Sequence, residues 1–265
     1  MTRIEVEPGV ELHVQDVGSG PPVVLVPGWA QSHEVWDAQV RVLAPNHRVV
    51  AVDPRGQGRS DRPFGDYTIA RHAADVAVVL RELDLRDAVM VGWSMGGFIA
   101  LRATADNRDR IAKLALVGSN GTRLVSDDGF PHGLPADVVG QFLGGELTAR
   151  PQYRRGATEQ SLFAPDPATV QWLVADNMQT PSWAGAASMQ GLVDADHRAD
   201  LAALDLPVLL LHGKNDPLFP IDGSHWVAER LKDARVVEFD SCGHAPHIEA
   251  TGQLNAALVE FVDAF

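Results

Sequence analysis

The sequence predicts an α/β fold: a mostly parallel eight-stranded sheet with helices on both faces and a small helical lid inserted over one end. Three observations predict it. Short apolar runs alternate with helical stripes along residues 23–117 and again from 208 onward, and that alternation specifies parallel strands joined by crossover helices. The alternation breaks at residues 119–205, a stretch with many Gly, Pro and Asp residues. Finally, Gly92-Trp93-Ser94-Met95-Gly96 stands between the apolar run 88–91 and a helix-like segment. A G-x-S-x-G in that setting is a tight strand–turn–helix elbow that pushes its serine into a strained, exposed position.

Taken in order, residues 4–6 and 10–17 alternate in polarity around Pro8-Gly9, the pattern of an antiparallel hairpin leading the sheet. Strand 23–26 is wholly apolar and stops at Pro27-Gly28; a helix over 34–43 and a buried strand at 49–52 follow. Ile69, Ala73, Val76, Val79, Leu80 and Leu83 form one helical stripe across 67–83. Strand 88–91, helix 96–105 and strand 112–117 complete the first run. Between 119 and 205 helical spacing shows at 169–178 and 184–192. Phe163, Trp172, Met178, Trp183 and Met189 give this segment more apolar bulk than surface loops carry, so a packed lid is expected. Strand 208–211, helix 223–231, strand 236–239 and a closing helix at 253–265 end the chain. The expected division is a core of 1–118 and 206–265 with a lid of 119–205, over the carboxyl end of the sheet where such folds bind ligands.

With 265 residues the chain suits one large domain carrying an insertion. A net charge of −13 argues against nucleic acid and anionic membranes as partners. No apolar run approaches the roughly 20 residues of a membrane helix, and no signal core follows Met1-Thr2-Arg3-Ile4-Glu5. The single cysteine, Cys242, precludes an internal disulfide and fits a reducing compartment. A cytoplasmic chain acting on a small molecule is expected; the oligomeric state is not legible.

A serine hydroxyl needs a base to take its proton, and the base needs an acid to fix its tautomer. After an elbow serine the acid and then the histidine follow along the chain. His244 lies in Asp240-Ser241-Cys242-Gly243-His244-Ala245-Pro246, directly after strand 236–239, in a loop that Gly243 turns and Pro246 stiffens. His247 competes with it, but falls at the start of the closing helix. Asp216 leaves strand 208–211 through Leu211-His212-Gly213-Lys214-Asn215-Asp216-Pro217. Asp240 also ends a strand, yet so close to His244 that it reads as a solvated cap. The strand before the lid runs into Val117-Gly118-Ser119-Asn120-Gly121, which has no carboxylate. Two N–H donors must face the oxyanion: the Met95 amide, and the Trp29 amide from the loop Pro27-Gly28-Trp29-Ala30-Gln31-Ser32. Trp29, Trp93 and Trp183 are the expected substrate contacts. Cys242, His244 and His247 are spaced loosely like zinc ligands but lack a second ligand pair, so neither metal nor cofactor is expected.

Pro27-Gly28-Trp29, the run Asp53-Pro54-Arg55-Gly56-Gln57-Gly58-Arg59-Ser60, Gly92-Trp93-Ser94-Met95-Gly96-Gly97, Gly213-Lys214-Asn215-Asp216 and Gly243-His244-Ala245-Pro246 together resemble the α/β-hydrolase superfamily. The likeness is greatest to bacterial carboxylesterases of the arylesterase/perhydrolase type, and extends to enol-lactonases, acyl-homoserine lactonases and the pimeloyl-carrier-protein methyl esterase. It implies hydrolysis of a small, largely apolar ester, with lactone or carbon–carbon bond hydrolysis as alternatives. Ser94 excludes the relatives with an aspartate nucleophile, and Met95 disfavours the cofactor-free oxygenases, which carry His there. Three positions depart from the pattern. Pro27 replaces the usual His of the oxyanion loop, so that loop needs other supporting bonds. Gln57 replaces a His, with no catalytic consequence expected. Ala30 stands where perhydrolase-like members place Pro, which weakens a peroxidation reading. A non-catalytic ligand receptor would have no need for all five motifs.

Overall fold

A computed structural model describes residues 2–264. Its sheet contains strands β1 (Thr2–Glu7), β2 (Val10–Val17), β3 (Pro22–Val26), β4 (Arg48–Val52), β5 (Ala88–Trp93), β6 (Ile111–Val117), β7 (Val208–Gly213) and β8 (Ala234–Phe239). They are ordered β1-β2-β4-β3-β5-β6-β7-β8. β1 and β2 form the antiparallel hairpin, β2 meets β4 antiparallel, and every other pairing is parallel.

Successive side chains of a strand point to opposite faces, and the core divides accordingly. Val24, Met90, Leu114 and Leu210 face one apolar cluster with helices α2 (Ile69–Glu82) and α3 (Met95–Asp106). Val23, Val89, Ala115 and Leu209 face the other, with α1 (Asp37–Leu43) and α10 (Thr251–Asp263). Since β5 and β7 are buried along their whole length, they read in sequence as unbroken apolar runs. The helix expected over 34–43 is divided into a 3-10 turn, His33–Trp36, and α1.

Between β6 and β7 lie four helices: α4 (Ala136–Thr148), α5 (Arg150–Ser161), α6 (Pro167–Asn177) and α7 (Ser182–Asp194). The last two coincide with the helical patches in the sequence; α4 and α5 were not expected. A buried ion pair ties them together, with Arg154 Nε donating to Glu146 Oε2 at 2.8 Å and Nη2 to Oε1 at 2.5 Å. Arg154 also donates to the Asn177 and Thr180 carbonyls, pinning the end of α6. The remaining helices, α8 (Ile221–Ala228) and α9 (Pro246–Glu249), follow β7 and β8. No helix among the described residues is long and apolar enough to cross a membrane.

Candidate active site

The carboxyl ends of β5 and β7 and the loop after β8 bring the sequence-predicted trio together. Ser94 stands between β5 and α3 with φ 55° and ψ −122°, a left-handed conformation for a non-glycine residue. The turn tolerates it because of the glycine before it: a Cβ on Gly92 would lie 2.1 Å from the Gly96 carbonyl oxygen. The Ser94 hydroxyl is 2.9 Å from His244 Nε2, and His244 Nδ1 is 2.9 Å from Asp216 Oδ2. Asp216 and His244 belong to one tautomer: the carboxylate only accepts, so Nδ1 carries the proton and Nε2 accepts from the serine.

Asp216 is fully buried. Burial alone would raise its pKa, but the attraction of His244 and hydrogen bonds from His212 and His244 outweigh it and hold the carboxyl below its ordinary range. Its Oδ1 accepts the Leu218 and Phe219 amides at 2.8 and 3.0 Å. Asp240, the rival acid, is 84% exposed and pairs with Lys214 at 2.8 Å. His247, the rival base, is packed between the Trp36 and Trp93 rings, at 4.8 and 4.4 Å between centroids, and neither ring nitrogen has a hydrogen-bond partner among the described residues. It supports the site by packing.

The His244 loop is held from three sides. Trp93 Nε1 donates to the His244 carbonyl at 2.8 Å, and the His244 amide donates to Ser161 at the end of α5 at 2.8 Å. Glu249 accepts the Gly243 and Ala245 amides, each at 3.1 Å, and the Phe163 amide at 2.7 Å. Sequence reasoning missed Glu249, whose partners are scattered along the chain.

The loop carrying Trp29 lies against the elbow, since a Cβ on Gly28 would stand 3.2 Å from Ser94 Cβ. Neither the Trp29 amide nor the Met95 amide donates to a protein acceptor among the described residues. Both are free to serve an oxyanion. The loop's supports answer the departure at Pro27. Gln57 Oε1 accepts the Ala30 amide, Asp176 accepts Ser32 N at 2.7 Å, and Asp53 accepts His33 N at 2.6 Å. Ala30 itself sits at φ 58°. Gln57, for which no catalytic consequence was expected, has a structural one: it holds the Trp29 loop through the Ala30 amide.

A cavity of about 110 Å³ opens at Ser94 and His244. Trp29 and Trp93 line it, together with apolar side chains from the inserted helices and the β7–α8 loop, among them Phe142, Met189, Leu192 and Phe219. Trp183 does not line it. That ring is 43% exposed and stacks on Phe64 at 5.1 Å, on the outside of α7. Of the five bulky residues that mark the lid in the sequence, Met189 alone lines the cavity; Phe163 and Trp172 are exposed and Met178 lies outside the lining.

Cys242, His244 and His247 do not converge as metal ligands. The one trio of possible donors within 4.8 Å of one another among the described residues is His13, His33 and Asp53. There Asp53 already accepts from His33 Nδ1 at 2.8 Å and from the Arg59 amide at 2.8 Å. Burial would raise the Asp53 pKa, but these bonds and the nearby His33 lower it, as suits a carboxylate that braces the loop.

Residues 21–251 match the alpha/beta hydrolase fold family, and the chain belongs to it. The chain is 31% identical over 274 residues to a non-heme haloperoxidase of Rhodococcus erythropolis, with 100% of each chain covered. It is 33% identical to the pimeloyl-[acyl-carrier protein] methyl ester esterase of Nitrosomonas europaea, over 89% of this chain and 94% of that one. Among solved structures it resembles an esterase from Exiguobacterium antarcticum, with a TM-score of 0.96, 28% identity and 99% of both chains covered. The family's members among these relatives include hydrolases, and the chain is a hydrolase of that fold.

Proposed function

We propose that the chain hydrolyses small, largely apolar carboxylic esters through an acyl-enzyme on Ser94. His244 is the base, Asp216 orients it, and the Trp29 and Met95 amides receive the oxyanion. The observation that carries this reading is the unbroken line Ser94–His244–Asp216, with 2.9 Å at each step, opening on an apolar cavity.

Ser94 Oγ attacks the ester carbonyl while its proton passes to His244 Nε2. The tetrahedral oxyanion forms against the two amides and near the N-terminus of α3, whose dipole favours negative charge. Collapse breaks the bond to the alcohol oxygen, which leaves with the proton from Nε2. Water then repeats the sequence on the acyl-enzyme and releases the acid. A lactone follows the same steps, its alcohol remaining tethered to the acyl group. The helices α4 to α7 act as the lid of residues 119–205, since their side chains wall the cavity.

Hydrolysis is favoured over peroxide chemistry by Ala30. Its φ of 58° lies far from the value near −65° that a proline ring imposes, so the loop differs in shape from one carrying Pro at that position.

The test is turnover of p-nitrophenyl acetate and butyrate and of γ-butyrolactone, with mass-spectrometric mapping of fluorophosphonate labelling. Label on Ser94 with ester turnover is expected. Label on another serine, or no turnover of any of the three, overturns the reading.

A further inference from the structure

Two imidazoles converge on the carboxylate of Asp216. His244 Nδ1 lies 2.9 Å from Oδ2, and His212 Nε2 lies 3.3 Å from the same oxygen. His212 is the penultimate residue of β7, four residues before Asp216, and both side chains are fully buried. Its Nε2 is also 2.7 Å from the Phe219 carbonyl, and its Nδ1 is 2.8 Å from Ser224 Oγ on α8. A carbonyl only accepts, so Nε2 carries hydrogen and Nδ1 accepts from the Ser224 hydroxyl. That N–H is therefore shared between Phe219 and Asp216. The loop it spans is the one whose Leu218 and Phe219 amides bind the other oxygen of Asp216.

Resting on the hydrolase reading above, we propose that His212 is a positioning residue of the catalytic machinery, which aims the Asp216 carboxylate at His244 and tempers the negative charge that His244 feels. It does not line the cavity. Its effect passes entirely through Asp216. Without the His212 N–H, Oδ2 has one donor fewer, and its charge acts more fully on the His244 imidazolium. The protonated base is then stabilised, and activity is lost at a higher pH than before.

The other groups facing this pair do not obscure that reading. Cys242 packs in the loop after β8, and burial, with Glu249 and Asp216 nearby, pushes its thiol up to about 12. On α9, burial and then His244 bring His247 down to about 3. Neither changes charge between about pH 5 and 8, where histidine ordinarily titrates. Glu249 faces the loop from α9 with its oxygens on backbone amides.

The test is the pH profile of kcat/KM on p-nitrophenyl acetate for the wild type, His212→Met, His212→Gln and Ser224→Ala. Loss of the charge-assisted hydrogen bond in His212→Met should lower kcat/KM about tenfold and move the acid limb up by about half a pH unit. His212→Gln, which places an amide donor where Nε2 stands, should restore both. Ser224→Ala frees the ring to turn and should move the limb by a smaller step in the same direction. Should His212→Met fail to fold, the Ser224→Ala limb decides. A lowered rate with an unmoved limb in the variants that fold, or a glutamine that does not restore it, overturns the proposal. Absence of ester turnover in the wild type would instead overturn the hydrolase reading itself.

Discussion

The Arg154 guanidinium lies 5.0 Å from the centroid of the Trp29 ring, so a buried cation of the inserted helices rests on the residue proposed to supply an oxyanion donor. Trp29 is clamped from its other end as well, with Nε1 donating to the Gly185 carbonyl at 2.8 Å. The Trp29 loop and the inserted helices are therefore one packed unit.

Breaking that unit at Arg154 leaves the buried Glu146 carboxylate with only Arg150 Nε, 3.8 Å away, as an ionic partner. Arg154→Met should cost about 3–5 kcal/mol, the range for removing one partner of a buried pair. The double variant Arg154→Met/Glu146→Leu should recover most of it. Urea midpoints measure both, and a double variant no more stable than the single one would show that the bonds to the Asn177 and Thr180 carbonyls carry the effect.

For the proposed trio, Ser94→Ala should abolish ester turnover. Asp216→Asn should lower kcat on the order of 10⁴-fold by favouring the wrong tautomer of His244. Asp240→Asn, at the exposed Lys214 pair, should stay within a factor of about two. Steady-state kinetics on p-nitrophenyl acetate separates them, and a larger loss at Asp240 would reassign the acid.

Acid should destabilise the fold through two histidines. Burial brings His72 and His247 down to about 3, from 6.5 in the unfolded chain. Below 6.5 the unfolded state takes up protons that the folded state refuses. Stability present above that pH is thus lost progressively down to about 3, at about 1.4 kcal/mol per pH unit for each histidine. His72→Phe should flatten the fall of the urea midpoint between about pH 6 and 5. An unchanged slope would show that the His72 ring takes up its proton in the native state as readily as in the unfolded chain.

Cavity position, not bulk, should decide specificity. Leu192→Ala and Met189→Ala should shift the preferred acyl length, because both side chains line the cavity. Trp183→Ala should leave the preference alone, since its ring stacks on Phe64 outside. A chain-length panel of p-nitrophenyl esters reads this, and a shift from Trp183→Ala alone would contradict it.

These contrasts mark where the sequence is informative. All eight strands were legible because β3, β5, β6 and β7 are buried on both faces and leave apolar runs bounded by turn residues. Ser94, Asp216 and His244 stood out because each follows a strand at a glycine-marked turn. Helices α4 and α5 were hidden: Gly140, Gly144 and Gly145 weaken one, and the other is polar on nearly every side. Its Arg154 is satisfied by partners that no local period announces. Trp183 misled for a related reason, since an aromatic side chain in a sequence carries no direction. Gln57, His212 and Glu249 are polar residues whose roles lie in contacts made after folding, two of them across 27 and 86 residues of chain.

Glu249 sets a boundary for anyone wishing to transplant the inserted helices between relatives. Its carboxylate joins the Phe163 amide to the amides of Gly243 and Ala245, and the neighbouring Ser161 carbonyl takes the His244 amide. A graft spliced at the end of β6 and the start of β7 would carry Ser161 and Phe163 away and leave the histidine loop without two of its anchors. Chimaeras that keep residues 161–163 with the host can exchange the rest of α4 and α5 while preserving the seat of the His244 loop. The interchangeable module is therefore shorter than the insertion as the chain draws it.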